Sequence, residues 1–69
     1  MRTQKADIRE LLAESLKHLT KDHSFAKITV KDITDEAKVS RPTFYNHFQD
    51  KYSLLEWIFE TDVVAPVKL

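Results

Sequence analysis

The sequence predicts an all-α fold: a three-helix unit containing a helix-turn-helix, followed by a fourth connecting helix. Three observations carry this. Apolar residues recur at helical spacing, and no segment shows sustained period-two alternation. Helix-start signals stand at Thr29, Ser40 and Asp50. The two central helices are short and joined by a tight turn, the pattern in which the second helix usually enters a DNA major groove.

The first helix is expected over residues 4–21, with Thr3 as its cap. Ile8, Leu12, Leu16 and Leu19, with Leu11 beside them, form one apolar stripe. His23 and Ser24 mark the exit. The second helix is expected over 30–37. Thr29 and Asp32 have capping-box spacing, and Ile28 and Ile33 stand at staple spacing. Ile33 and Ala37 continue its core face.

The third helix, expected over 41–48, repeats that grammar. Ser40 caps it, Val39 and Phe44 form the staple pair, and Pro42 lies in the first turn where a missing N–H costs little. Phe44 and Phe48 share one face. The fourth helix, expected over 51–62, starts after Asp50 and carries Leu54, Leu55, Trp57, Ile58 and Phe59. Apolar on more than one side, it is expected to pack on two neighbours. Val63, Val64, Ala65 and Val67 add apolar surface, and Pro66 stops any helix.

A chain of 69 residues makes one small domain at most. A domain this small buries only about 60% of its unfolded surface, so its stability is expected to be marginal. With no cysteine there is neither a disulfide nor a thiolate metal site, which fits a cytoplasmic protein. No apolar run is long enough to span a bilayer, and the N-terminus lacks an apolar signal segment, so no membrane partner is expected. The three histidines lack zinc-ligand spacing, and neither metal nor cofactor is expected.

Net charge is zero, which by itself argues against a nucleic-acid binder. Distribution matters more than the total. Positive charge gathers at Arg2 and Lys5, then at Lys38, Arg41 and Lys51, while most acids sit elsewhere.

With Phe44 and Phe48 facing the core, Pro42 and Asn46 point most directly away, flanked by Thr43 and Tyr45. Arg41 and His47 lie nearer the core edge, with Arg41 at the free leading end. Arg can pair bidentately with guanine and Asn with adenine. Pro42 and Thr43 suit a thymine methyl, and Tyr45 suits a phosphate. An ordinary amphipathic helix also presents a polar outer face, but it explains less well an outward Tyr and an Arg at the helix start. A cation there opposes the macrodipole by roughly 0.3–1 kcal/mol. Lys31 and Lys51 repeat this at the second and fourth helices. Backbone N–H groups beside a positive side chain suit a phosphate.

These residues resemble the tetracycline-repressor (TetR) family of bacterial transcriptional regulators, over about Ile8 to Ile58. The strongest element is Val39-Ser40-x-Pro42-Thr43-Phe44-Tyr45-x-His47-Phe48-x-x-Lys51-x-x-Leu54-Leu55, supported by Ile28-Thr29-Val30-x-x-Ile33. Tyr45-Asn46-x-Phe48 and Leu54-Leu55-x-Trp57-Ile58-Phe59 are also similar to activators of dihydroxyacetone-kinase operons within the family.

The resemblance implies that residues 1–69 are a DNA-binding domain, with the third helix reading double-stranded DNA. Arg41, Pro42, Thr43 and Asn46 would meet base edges; Thr29, Lys31, Ser40, Tyr45, His47 and Lys51 would meet phosphates. His47 also reads as a capping or packing histidine, while His18 and His23 match no motif and read as surface residues. Family members are longer, with a C-terminal domain that makes a homodimer for a palindromic operator and binds a small-molecule inducer. The resemblance therefore implies that these residues are the DNA-binding part of a longer or truncated protein, and exposed-looking Trp57, Phe59 and Val63 fit a lost neighbour.

The sequence departs from the family pattern at the turn, where Lys38 stands in place of a usual glycine. A positive φ there costs on the order of 1 kcal/mol, unless the turn avoids that geometry. Thr34 stands where alanine is common and Ser24 where glycine often follows the first helix.

Two other functions compete. Zero net charge and Trp57-Ile58-Phe59 favour a protein-interaction module docking through the fourth helix. Tyr45, His47 and Asp50 can be imagined as an acid–base set, but nothing links them to a nucleophile, a metal or a phosphate loop. A non-enzyme is expected, because so small a helical chain has little room for a substrate cavity.

Overall fold

The computed structural model describes residues 7–61. Its helices are α1 (Ile8–Leu19), α2 (Val30–Ala37), α3 (Arg41–His47) and α4 (Lys51–Phe59), with one 3-10 turn at Phe25–Lys27 between α1 and α2. Among the described residues there is no strand. α1 packs on α2 and α4, and α2 packs on α3.

α1 starts later than the periodicity predicts. Asp7 has extended backbone at φ −67° and ψ 134°, and its carboxylate accepts the Arg9 N–H at 2.9 Å. The helix therefore begins at Ile8, and Thr3 lies outside the described residues. Arg9 Nη2 also reaches Asp7 Oδ2 at 2.8 Å. Hydrogen bonds from the Arg9 side chain, then from its backbone, hold the Asp7 carboxyl below its ordinary pKa. α1 ends at Leu19, two residues early, because the chain turns there: Asp22 and His23 both donate to the Leu19 carbonyl.

The α2 start is a closed capping box. Thr29 Oγ1 accepts the Asp32 N–H, and Asp32 Oδ2 accepts the Thr29 N–H, each at 3.0 Å. Each satisfies a backbone donor that helix geometry leaves open. Before the cap, Ile28 is buried beside the equally buried Ile33.

The turn into α3 adopts the left-handed geometry. Lys38 sits at φ 62° and ψ 41°, the only non-glycine with positive φ among the described residues. Its N–H donates to the Asp35 carbonyl at 3.3 Å, and the Val39 N–H donates to the Thr34 carbonyl at 3.0 Å. This pair of bonds closes a helix in the Schellman manner, a role that favours glycine. The Thr34 side chain is buried, its hydroxyl donating to the Lys31 carbonyl at 3.1 Å.

The core is Leu12, Ala13, Leu16, Ile28, Ile33, Ala37, Phe44, Phe48 and Leu54. Burying a side chain such as Phe44 contributes about 1.5–3 kcal/mol. The Phe44 and Phe48 rings lie 5.8 Å apart, and Phe48 meets Trp57 edge-on at 6.1 Å. Trp57 is thus half-buried against the core, with the Arg9 guanidinium 5.7 Å from its ring centre, so it does not mark a lost neighbour. Ile58 packs beside it, whereas Tyr52, Leu55 and Phe59 are exposed. α4 therefore meets two neighbours, α1 and, through Trp57, Phe48, while the face carrying Leu55 and Phe59 stays open. Its predicted end at residue 62 and the apolar stretch Val63, Val64, Ala65, Pro66 and Val67 lie outside the described residues. No helix among the described residues is long and apolar enough to cross a membrane.

Candidate nucleic-acid interface

The outer face of α3 is built by contrast with its inner one. Phe44 is fully buried and Phe48 nearly so, which turns Arg41, Pro42, Asn46 and His47 to solvent, with Tyr45 54% exposed. The Tyr45 ring stands edge-on to Phe44 at 5.3 Å, so its body is braced while its hydroxyl end stays open. The polar ends form a ridge carrying a guanidinium, a phenol, a carboxamide and an imidazole.

Ser40 and Thr43 act as one unit. Ser40 Oγ accepts the Thr43 N–H at 3.2 Å, and the two hydroxyl oxygens lie 2.8 Å apart. Thr43 is half-buried, less outward than the angular reading places it. One of its polar bonds is spent on the cap, but its methyl group remains an apolar contact on that flank. His47 is exposed rather than at the core edge, and it lies near enough to Asp7 to help lower that carboxyl's pKa.

The α2 start comes close to this face. Lys31 and Asp35 form an exposed pair at 2.8 Å. The hydrogen bond and charge of Asp35 raise the Lys31 pKa, while the nearby charge of Arg41 pulls it down. Lys31 and Arg41, one from each short helix, are both exposed. Bonds to the Thr29 backbone and then to the Thr29 hydroxyl hold the Asp32 carboxyl below the ordinary range. Thr29 has its N–H and one oxygen lone pair committed to the capping box, and its hydroxyl also bonds the Asp32 carboxylate.

Lys51 departs from expectation. It was predicted to meet phosphate, but its ammonium turns back onto the 3-10 turn. Lys51 Nζ donates to the carbonyls of Phe25 at 2.7 Å, Ala26 at 3.3 Å and Ile28 at 2.6 Å. A lysine has three N–H donors, and three carbonyls take them. The same nitrogen lies 4.5 Å from the Phe25 ring centre and 5.6 Å from that of Tyr52. The two rings stand edge-on, 5.3 Å apart. With its donors taken by these carbonyls, the Lys51 ammonium is not presented to an external phosphate in this structure. Helix-start cations facing outward reduce to Lys31 and Arg41. Phe25 carried no periodic signal; the one hint was an aromatic residue stranded in a polar loop.

Of the unassigned histidines, His18 pairs with Glu36 at 2.7 Å between α1 and α2, and His23 is exposed. Among the described residues no group of three or more His, Cys, Asp or Glu could hold a metal ion.

The family profile described as "Bacterial regulatory proteins, tetR family" matches residues 9–58, which run from α1 through α4. The chain is 43% identical over 53 residues to the HTH-type dhaKLM operon transcriptional activator DhaS of Lactococcus lactis subsp. lactis (strain IL1403), a match covering 77% of this chain and 28% of that protein. It is also 43% identical over 47 residues to the uncharacterized HTH-type transcriptional regulator YxbF of Bacillus subtilis (strain 168), covering 68% of this chain and 12% of that one. A solved structure titled dihydroxyacetone kinase operon activator DhaS superposes with a TM-score of 0.76 at 42% identity, over 78% of this chain and 30% of the other. The chain thus spans less than a third of the length of the relatives it matches. With four α-helices among the described residues and a helix-turn-helix from Val30 to His47, the chain belongs to the tetR family of bacterial regulatory proteins.

Proposed function

We propose that this chain binds double-stranded DNA sequence-specifically to control transcription, with α3 in the major groove. The observation that carries this reading is the ridge of Arg41, Pro42, Tyr45, Asn46 and His47, exposed on a helix whose opposite face is locked by Phe44 and Phe48. Arg41 and Asn46 are the residues suited to hydrogen-bond base edges, with Pro42 and the Thr43 methyl beside them. Ser40, Tyr45, His47, Lys31 and Thr29 surround that ridge and suit phosphates. Each phosphate neutralised by Lys31 or a protonated His47 releases counterions and steepens the dependence on salt.

The similarity to DhaS supports a finer reading. The role would be activation of an operon for dihydroxyacetone kinase, by two copies on a palindrome with half-sites about one helical turn apart. Dimer contacts and a small-molecule inducer site would belong to the remaining length of a DhaS-like protein. A cytoplasmic location follows from that role.

The test is selection of bound duplexes from random DNA, followed by the Arg41→Ala variant on the selected site. The variant is expected to bind about 1–3 kcal/mol more weakly and to lose preference at one base pair. If it binds every sequence as tightly as the parent, base reading by Arg41 is wrong. Affinity that hardly changes between two salt concentrations would instead indicate an apolar docking module working through Tyr52, Leu55 and Phe59.

A further inference from the structure

We infer that Lys51 is a positioning residue for DNA binding, acting through the Phe25–Ile28 carbonyls to hold the start of α2 against the start of α4. The inference rests on the DNA-binding reading above but concerns how the grip is built.

Lys51 is the first residue of α4, and the three carbonyls it gathers lie 23–26 positions earlier. The last of them belongs to Ile28, whose carbon is bonded to the nitrogen of Thr29, the α2 cap. That peptide is therefore held from both sides: Lys51 takes the Ile28 carbonyl at 2.6 Å, and Asp32 takes the Thr29 N–H at 3.0 Å. Thr29 and Lys31 are the phosphate candidates of this helix start, so their placement relative to α3 depends on where the peptide sits.

The surroundings fit a clamp. A 3-10 turn leaves its final carbonyls pointing the same way, and a cation is the best partner for such a convergent set. The Phe25 and Tyr52 rings flank the ammonium and limit access to it. A phosphate would have to displace three charge-assisted bonds to reach this nitrogen. The chemistry thus separates two roles that lysine can play at a DNA-binding helix start. A phosphate-contacting lysine contributes charge to the ligand. A clamping lysine contributes geometry, and its own charge is spent inside the fold.

The experiment uses the whole 69-residue chain with a duplex chosen by selection from random DNA. Affinity is measured across a salt series for the parent, Lys51→Met and Lys51→Arg, below the unfolding temperature of each. Amide hydrogen exchange at residues 25–32 is followed in the free proteins. The clamp predicts that Lys51→Met binds roughly tenfold more weakly, the effect of losing a charged hydrogen bond. Its plot of log affinity against log salt should run parallel to the parent's, and its exchange should be faster at residues 25–32. Lys51→Arg keeps the charge but cannot converge on three carbonyls, so it should show the same parallel loss, smaller in size. The inference is overturned if Lys51→Met shallows the salt slope by about 0.9, the signature of one lost phosphate contact, with exchange unchanged. It is equally overturned if Lys51→Arg binds like the parent while its exchange is accelerated. A parent affinity that hardly changes across the salt series would instead remove the DNA-binding reading itself.

Discussion

The starts of α2 and α4 use the same local grammar and put it to different ends. Each has an oxygen-bearing cap, Thr29 or Asp50, whose side chain accepts the N–H three residues on. Each has a lysine in the first turn, Lys31 or Lys51. At α2 the lysine lies on the surface, paired with Asp35 one turn along its own helix. At α4 it leaves its helix and crosses to the 3-10 turn, where three carbonyls and two rings receive it. A lysine at a helix start is thus no evidence of an external anion until its neighbours in space are known. One is free to exchange Asp35 for a phosphate at little cost, since exposed pairs contribute little. The other is part of the fold.

The sharpest way to break this contrast is Lys51→Met. Losing charge-assisted bonds to partly buried carbonyls is expected to cost about 1.5–3 kcal/mol, read as a lower urea midpoint. In a chain of this size that is a large share of the total stability. An unchanged midpoint would mean that the clamp contributes nothing to the fold.

The turn that carries α3 away from α2 gives the next largest effect, with opposite sign. Lys38→Gly removes a side chain from a left-handed position and should stabilise the chain by about 1 kcal/mol, net of the freedom glycine adds to the unfolded state. A raised thermal midpoint with α3 unchanged by NMR would confirm that the lysine costs stability there. A lowered midpoint would show that the Lys38 side chain makes compensating contacts.

Lys31→Ala sharpens the comparison from the α2 side. The urea midpoint should not move measurably, because the lost pair is exposed and alanine suits a helix. The slope of log affinity for DNA against log salt should become shallower by about 0.9. This is the reverse of the pattern expected for Lys51.

The smallest effect is in pH. The Asp32 carboxyl is held below its ordinary pKa, first by the Thr29 backbone bond and then by the Thr29 hydroxyl. Because the folded value is depressed, the stabilisation is present above the unfolded value of about 3.9 and fades as pH falls through the folded one. Asp32→Asn should therefore melt slightly lower than the parent near neutral pH, and the two curves should converge under acid. Curves that stay parallel down to the acid limit would remove the capping box as a source of pH dependence.

The caps and the apolar faces were legible in the sequence because they are local. Thr29, Ser40 and Asp50 each bond a backbone group three residues away, a reach that depends only on helix geometry. Phe44 and Phe48 bury one side of α3, as their spacing predicts, and Tyr45 and Asn46 face out for the same reason. Lys38 was legible as a conflict, with two possible resolutions. Other features were hidden. Asp7 rather than a residue further upstream closes the described α1, since either residue type can cap and only the path of the chain chooses between them. Trp57 sits against Phe48, and Leu55 faces solvent, although both read as apolar residues of the same helix.

The sequence by itself determined where the central helices begin and which face of α3 is turned outward, because those outcomes follow from side-chain period and from bonds that span a single turn. Tertiary structure decided what each charge is for. The distance from Lys51 to the Phe25, Ala26 and Ile28 carbonyls is set by the packing of α1 against α2 and α4, and no spacing along the chain encodes it. An ammonium goes to the best-matched set of acceptors within reach, and only the folded chain defines which acceptors those are.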